Sequence, residues 1–203
     1  STYFLTTDGK VYSCGYNNYG QLGLGDTTNR STPTLISALD GVVVSKVIIN
    51  NDCSTYFLTT DGKVYSCGNN YYGQLGLGDT NNRSIPTLIS ALNGIVVSDI
   101  IINNYSTYFL TTDGKVYSCG YNGYGQLGLG DVNYYRSTPQ KINLLDSNNQ
   151  ELLCENIYVL NNFVIVKLND KSIRYFGYKN ASFTPDGQQP NQGGGEGGGE
   201  VLG

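Results

Sequence analysis

Short apolar runs alternate with polar residues along most of the chain, and the same pattern returns three times. Each unit opens with a close match to "STYFLTTDGKVYSCG", at residues 1, 54 and 106. Within it, "TYFLTT" and "KVYSCG" are β-prone runs on either side of Asp-Gly, the strongest short signal for a hairpin turn. No segment keeps helical periodicity for more than two turns. The pattern therefore predicts one antiparallel hairpin in every unit.

Two further strands are predicted in each unit. "RSTPTLIS" carries its Pro near the start, where a missing N–H is tolerated. "GVVVSKVIIN" is β-branched and continuous, which predicts a strand buried on both faces. Four strands per unit, repeated 53 and then 52 residues apart, are typical of β-propeller blades. A solenoid is the alternative, although its repeats are usually shorter and contain fewer strands.

The predicted fold class is an all-β propeller of four-stranded blades, with about three and a half blades present. The propeller domain is assigned to residues 1–183, with units starting near 1, 54 and 106 and a degenerate unit near 162. Residues 184–203 are rich in Gly, Gln and Pro and predict a flexible tail. An arc of this kind exposes sheet edges. We therefore expect a segment of a longer propeller, or a chain that pairs with another chain or a second copy to close the ring.

The string "YGQLGLGD" occurs at residues 19–26, 72–79 and 124–131. It is not a phosphate-binding loop, because the Gly-Lys-Ser/Thr of Walker A and the Gly-x-Gly-x-x-Gly of dinucleotide sites are both missing. We expect structural loops whose glycines adopt positive φ or approach neighbouring backbone too closely for a Cβ. These glycines are Gly20, Gly23, Gly25, Gly73, Gly76, Gly78, Gly125, Gly128 and Gly130.

Charge and cysteine usage exclude several classes of function. The net charge is −4, and the acidic tail accounts for much of it, so the chain lacks the basic surface that direct nucleic-acid binding requires. His is absent and no Cys-x-x-Cys occurs, which gives no metal site, and no cofactor is predicted. No apolar run is long enough for a membrane span. Cys14, Cys67 and Cys119 share one repeat position, which favours buried free thiols in a reducing compartment.

An acidic and a basic residue follow each glycine string. We interpret them as ion pairs that fasten the loops, in preference to a ring of charge facing a partner. The pairs are Asp26 with Arg30, Asp79 with Arg83, and Asp131 with Arg136.

"FLTTDGKVYSCGYNNYGQLGLGD" followed by "RSTP" resembles the repeat of the regulator of chromosome condensation family, over about residues 1–160. The resemblance implies a seven-bladed propeller. Functions known in that family include nucleotide exchange on a small GTPase, chromatin association, ubiquitin-ligase modules, ciliary scaffolds and ultraviolet sensing, so the fold does not select one. Ultraviolet sensing in the family depends on tryptophan clusters, and this chain has no Trp. The wedge-like insertion of the exchange factor is absent from these repeats.

Tyrosines are the candidate contact residues, because Tyr combines apolar area with a hydroxyl group and is enriched at interfaces. The chain has 18 of them, many in the glycine-rich segments. Tyr19, Tyr72 and Tyr124 are the same in all three copies, and we expect them to be packed structurally. The predicted partner-binding residues are Tyr16, Tyr71, Tyr121, Tyr134 and Tyr135.

The sequence favours a non-enzymatic scaffold that binds a protein partner through loops on one propeller face. The chain is expected to be intracellular, in the cytoplasm or nucleus. Two alternatives stay open at this point. One is a guanine-nucleotide exchange factor with a small GTPase as its partner. The other is a structural component of a larger particle such as a virion.

Overall fold

The computed structural model describes residues 1–178, which contain fourteen β-strands and two short 3-10 helices. The predicted all-β class is confirmed. The helices are Ser37–Leu39 and Ser90–Leu92. The strands are β1 Thr2–Leu5, β2 Val11–Gly15, β3 Arg30–Leu35, β4 Val44–Ile49, β5 Ser54–Thr59, β6 Val64–Gly68, β7 Arg83–Leu88, β8 Val97–Asn103, β9 Ser106–Thr111, β10 Val116–Tyr121, β11 Tyr135–Lys141, β12 Cys154–Leu160, β13 Phe163–Leu168 and β14 Ile173–Gly177.

The strands form four antiparallel sheets in chain order, as expected for successive propeller blades. The sheets are β1-β2-β3, β4-β5-β6-β7, β8-β9-β10-β11 and β12-β13-β14. The strand within "GVVVSKVIIN" therefore opens the next sheet instead of closing its own unit. The predicted units that start near residues 54, 106 and 162 therefore begin one strand later than the second, third and fourth sheets. Those sheets begin at Val44, Val97 and Cys154.

Asp-Gly pairs form the predicted hairpin turns. In the second sheet the Gly62 N–H donates to the Thr59 carbonyl at 3.1 Å, and the Thr59 N–H donates to the Lys63 carbonyl at 2.9 Å. The two strands then pair in register, with Phe57 opposite Tyr65. The turn therefore sets which residues face each other across β5 and β6.

The expectation that the β-branched strand is buried on both faces is wrong for β4, where only Val44 is buried. The fully buried strand is its neighbour β5, since β5 lies inside the sheet and is covered on both faces. At the exposed side of β4, the Lys46 Nζ lies 2.6 Å from the Asp99 carboxylate of β8. The first strand of a sheet thus supplies solvent-facing residues between neighbouring blades.

Apolar cores lie between successive sheets. Phe57 of the second sheet packs with Val11 and Ile36 of the first, and Phe109 of the third packs with Leu75 and Ile89 of the second. Edge-to-face ring contacts repeat the arrangement, with Tyr3 and Phe57 centroids 6.4 Å apart and Tyr56 and Phe109 centroids 6.5 Å apart. Cys67 and Cys119 are buried free thiols in these cores, as expected, whereas Cys14 in the first sheet is only half-buried. Apolar side chains therefore pack each sheet against its neighbours.

In the part of the chain that the structure describes, no helix is long and apolar enough to cross a membrane. The predicted flexible tail at residues 184–203, and the last residues assigned to the propeller domain, lie outside the described residues.

Candidate protein-binding surface

Each glycine-rich string lies in a loop that is organised by one buried Asn. We call residues 17–26, 70–79 and 122–131 the Gly loops. In the second, the Asn70 side chain is fully buried, and its Nδ2 donates to the carbonyls of Asp79 at 2.9 Å and Asn81 at 3.0 Å. Its Oδ1 accepts from the Leu75 N–H at 3.0 Å. One amide group thereby closes a loop that has no regular secondary structure.

The predicted Asp–Arg ion pairs are present and lie within the loops. Arg83 Nη2 is 2.7 Å from the Asp79 carboxylate, and Arg30 Nη2 is 2.6 Å from that of Asp26. Both aspartates have carboxyl pKa values below the ordinary value, first because of the hydrogen bond from the arginine. The loop-fastening interpretation is therefore supported by the geometry.

The first two Gly loops pack against the last strand of the following sheet. We call β3, β7 and β11, which carry "RSTP" or "RSIP", the Pro strands. A Cβ on Gly73 would lie 2.5 Å from the Ser137 Cα, and one on Gly76 would lie 3.0 Å from the Pro139 ring. All nine glycines of the loops have positive φ, between 68° and 86°. Backbone conformation and close approach both require glycine here.

Fixed in this way, the loops and adjoining turns gather seven tyrosines into one surface, which we call the tyrosine patch. Most of its rings are exposed, from 38% at Tyr105 to 69% at Tyr71, while Tyr72 and Tyr121 are half-buried. The patch comprises Tyr71, Tyr72, Tyr105, Tyr121, Tyr124, Tyr134 and Tyr178.

Tyr72 lies at the centre of the patch. Its ring centroid is 4.8 Å from those of Tyr71 and Tyr105, 5.0 Å from that of Tyr121 and 5.7 Å from that of Tyr134. A hydrogen bond with Tyr134, followed by partial burial, raises the pKa of Tyr72 to about 12. The central phenol is therefore neutral over the physiological pH range.

A cavity of about 550 Å³ opens beside the patch. Its walls are four phenol rings, three amides and the Thr80 hydroxyl group, and none of the lining side chains is charged. Asn69 connects the cavity floor to the turn before β5, because its Nδ2 donates to the Asp52 carbonyl at 2.9 Å. The lining residues are Tyr19, Asn69, Tyr71, Tyr72, Thr80, Asn81, Asn82 and Tyr105.

The surface offers aromatic faces and neutral hydrogen-bonding groups, and it suits recognition of a partner. Within residues 1–178 no three His, Cys, Asp or Glu side chains are grouped as a metal site would require. Such a surface can bury apolar area and pair hydroxyl and amide groups with a partner at the same time.

Three of the five predicted contact residues come together in the patch: Tyr71, Tyr121 and Tyr134. Tyr16 and Tyr135 are each 44% exposed but make no ring contact with the patch among the described residues. The contact role of all five stays a prediction.

The expectation that the repeated tyrosines are packed structurally is wrong for Tyr19 and Tyr124, which are 39% and 46% exposed. Their backbone is fixed, since the Tyr19 N–H donates to Gln21 Oε1 at 3.0 Å, but their rings point away from the core. Tyr105 and Tyr178 were not predicted as contact residues. Tyr105 stands where the preceding unit has Cys53. This difference between the copies is the sequence signal from which Tyr105 could have been predicted as a contact residue.

Comparison with known proteins identifies a matching repeat family and several similar proteins. The regulator of chromosome condensation (RCC1) repeat model matches residues 8–55, 61–110 and 113–152. The chain is 40% identical over 122 residues to the ultraviolet-B receptor UVR8 of Arabidopsis thaliana, covering 60% of this chain and 28% of the receptor. It is 33% identical over 151 residues to the probable E3 ubiquitin-protein ligase HERC4 of Homo sapiens, covering 74% of this chain and 14% of the ligase.

Solved structures show the same fold. Human WBSCR16 superposes with a TM-score of 0.71 at 28% identity, over 86% of this chain and 44% of that one. Prp20p of Saccharomyces cerevisiae superposes with a TM-score of 0.64 at 21% identity, over 76% and 38% of the two chains. This chain thus spans less than half of each relative. Since the repeat model covers more than half of the sequence, the chain belongs to the regulator of chromosome condensation (RCC1) repeat family.

Proposed function

We propose that this chain is a non-catalytic scaffold that binds a protein partner through the tyrosine patch. The observation that carries the proposal is the convergence of seven tyrosines from separate turns and loops on one exposed surface. Tyr rings contribute large contact area at low cost in side-chain entropy. Contiguous exposed apolar area of this kind marks interaction sites in folded proteins.

The patch is also pre-organised for binding. The ring contacts around Tyr72 hold several side chains in place before a partner arrives, which reduces the entropy lost on association. Absence of charge along the cavity walls favours a partner surface that is neutral and partly apolar. No catalytic residue is assigned. An intracellular location is proposed as well, and the free thiols of the described cysteines are compatible with it.

Affinity capture with matched variants tests the proposal. Tyr71 and Tyr134 are 69% and 58% exposed, so Tyr71→Ser/Tyr134→Ser should leave the fold intact. Tyr158 on β12 is 55% exposed and lies outside the patch, which makes Tyr158→Ser the control. We expect mass spectrometry to find a protein retained by the wild type and the control and lost from the double variant. Equal retention by all three chains would contradict a role for the patch.

Nucleotide exchange on a small GTPase is the second candidate. Prp20p was studied for binding to Gsp1p and histones, but at 21% identity the likeness supports the fold alone. Nucleotide release from Ran-type and other small GTPases should be measured with and without the chain. We expect no acceleration, and accelerated release would replace the scaffold proposal with exchange activity. The particle-component alternative stays a hypothesis.

A further inference from the structure

One position just before the Gly loops differs between the units, and it lies at the cavity beside the tyrosine patch. Asn69 stands where the first and third units have Tyr16 and Tyr121. The backbone at this position is alike in the second and third units. The Asn69 N–H donates to the Cys53 carbonyl at 3.0 Å. Equivalently, the Tyr121 N–H donates to the Tyr105 carbonyl at 2.9 Å. The second unit therefore presents a short amide where the third presents a phenol ring.

In the third unit the Tyr121 ring lies among three other phenol rings. Its centroid is 5.0 Å from that of Tyr72, 5.9 Å from that of Tyr124 and 5.3 Å from that of Tyr134. One unit earlier, the residues that correspond to Tyr72 and Tyr124 are Tyr19 and Tyr72, and both line the cavity. The segment before the Pro strand, which carries Tyr134 in the third unit, also lines the cavity in the second. The cavity therefore lies where the second unit lacks an aromatic ring that the third unit has.

The cavity walls also carry hydrogen-bond donors that the fold does not use. The Asn82 Oδ1 accepts from the Asn70 N–H at 2.9 Å, so the NH2 group of Asn82 is left for a ligand. Among the described residues, the Asn81 side-chain amide and the Thr80 hydroxyl group have no hydrogen-bond partner either. These groups can donate to the main-chain carbonyls on either side of an inserted side chain.

We propose that the cavity binds an aromatic side chain that projects from the partner protein. Tyr19, Tyr72 and Tyr105 supply ring faces from segments of three successive sheets, and aromatic rings pack edge to face against such walls. An inserted Lys or Arg would lose hydration with no carboxylate in the walls to pair with it. This assignment rests on the proposed function and deepens it, because an aromatic anchor in a pocket supplies much of the binding energy of an interface.

The inserted ring packs against Tyr71 and does not reproduce the position of Tyr121. The third unit has Gly123 in place of Tyr71, and a Cβ on Gly123 would overlap with the Tyr121 hydroxyl group. A ring carried by residue 69 in that position would meet the Cβ of Tyr71 in the same way. The second unit thus leaves the cavity open, and a ring that enters from solvent can tilt against Tyr71.

Titration of the full chain with the tripeptide N-acetyl-Gly-Tyr-Gly-amide, followed by backbone amide chemical shifts, tests the proposal. We expect shift changes at residues 80–82 and at Tyr105. N-acetyl-Gly-Leu-Gly-amide should bind about tenfold more weakly, because Leu lacks the ring contacts. Asn69→Tyr/Tyr71→Gly gives the second unit the pair that the third unit carries, so it should fold, fill the cavity and abolish binding. Tyr71→Gly alone leaves the cavity open and should still bind, although more weakly.

A second pair of variants tests the donors. Asn82→Asp keeps the oxygen that accepts from the Asn70 N–H but replaces the NH2 group with an acceptor, and it should weaken binding of the tyrosine peptide about tenfold. Asn29→Asp is the matched control. The Asn29 Oδ1 accepts from the Asn17 N–H at 2.8 Å in the first Gly loop, and Asn29 does not line the cavity, so this variant should leave the affinity unchanged.

The proposal is overturned if the tyrosine peptide does not bind or if the leucine peptide binds equally well. It is also overturned if Asn69→Tyr/Tyr71→Gly binds as tightly as Tyr71→Gly, or if Asn82→Asp and Asn29→Asp bind equally. A protein captured through the tyrosine patch, together with no binding of the tyrosine peptide, would refute the anchor cavity and leave the proposed function standing.

Discussion

Gly76 shows how a single residue links two sheets. It has φ of 73°, and a Cβ placed on it would lie 3.0 Å from the Pro139 ring and 3.4 Å from the Cys119 Sγ. Positive φ is unfavourable for a residue with a Cβ, and the neighbours here are the buried Pro and thiol of the next sheet. The second Gly loop therefore tolerates no side chain at this position.

Replacing Gly76 with Val should destabilise the protein by about 3 kcal/mol, as the sum of backbone strain and overpacking. Gly94→Val is the matched control, because Gly94 has φ of 78° and no atom lies within 4 Å of the position that a Cβ would take on it. The control should cost about 1–2 kcal/mol through backbone strain alone. Denaturant unfolding measures both. An unchanged melting midpoint for Gly76→Val would show that the loop glycine has another purpose.

At the same scale, the sequence indicated which tyrosines vary but could not show which of them meet. Tyr71 lies in the second Gly loop, Tyr134 lies between the third Gly loop and β11, and Tyr105 comes from a turn between two strands. Their proximity depends on the spacing between sheets, which no local pattern encodes. The positive φ of the loop glycines was predictable, because it follows from residue type and spacing within a single loop.

The tyrosine patch depends on the conformation of the Gly loops, and each loop is held together by the hydrogen bonds of its buried Asn. Asn70→Ala removes four side-chain hydrogen bonds and leaves the Leu75 N–H, the Asp79 carboxylate and the carbonyls of Asp79 and Asn81 without this partner. Loss of such buried bonds should cost about 3 kcal/mol in the free energy of unfolding. Asn18→Ala is the control, because Asn18 is exposed in the equivalent region of the first loop. Equal stability of the two variants would contradict the organising role of Asn70.

Strands and hairpin turns were predictable as elements, whereas their grouping into sheets was not. Alternating apolar runs and Asp-Gly pairs mark β5 and β6 directly. In a tandem repeat, however, the sequence has no unique starting point, so the strand β4 could belong to the unit before it or after it. Its pairing with β5 is decided by the connection and by packing between sheets. The one-strand displacement of the predicted units has this cause.

For the whole molecule, buried phenols predict sensitivity to alkaline pH. Burial raises the pKa of Tyr56 and Tyr108 above the ordinary value, and their hydroxyls donate to the carbonyls of Gln74 and Gln126. A raised folded-state pKa means that this stability is fully present below pH of about 10, the unfolded value, and is lost as pH rises further. As the pH is raised, phenolate absorbance should therefore increase in two steps. Exposed tyrosines ionise in the first step, and the buried ones ionise in the second, which coincides with unfolding. A single step in the folded protein would contradict this.

Open sheet edges predict self-association of the 203-residue chain. Within the described residues β1 and β14 each lie at an edge, and Phe4 on β1 is 47% exposed. The sheets contain three, four, four and three strands, so two copies would bring eight sheets instead of completing seven. The strand grouping thus does not favour a second copy as the way to close the ring. Light scattering should find aggregates or oligomers, and a stable monomer with a cooperative melt would contradict the prediction.

The central claim is that the tyrosine patch is the protein-binding surface. Hydrogen–deuterium exchange of the chain with a captured partner tests it most directly, because it locates the contact without any substitution. We predict protection of the backbone around Tyr71, Tyr105, Tyr121 and Tyr134 on binding, with none around Tyr158 of β12. Protection confined to β12 or to other segments outside the patch would contradict the claim.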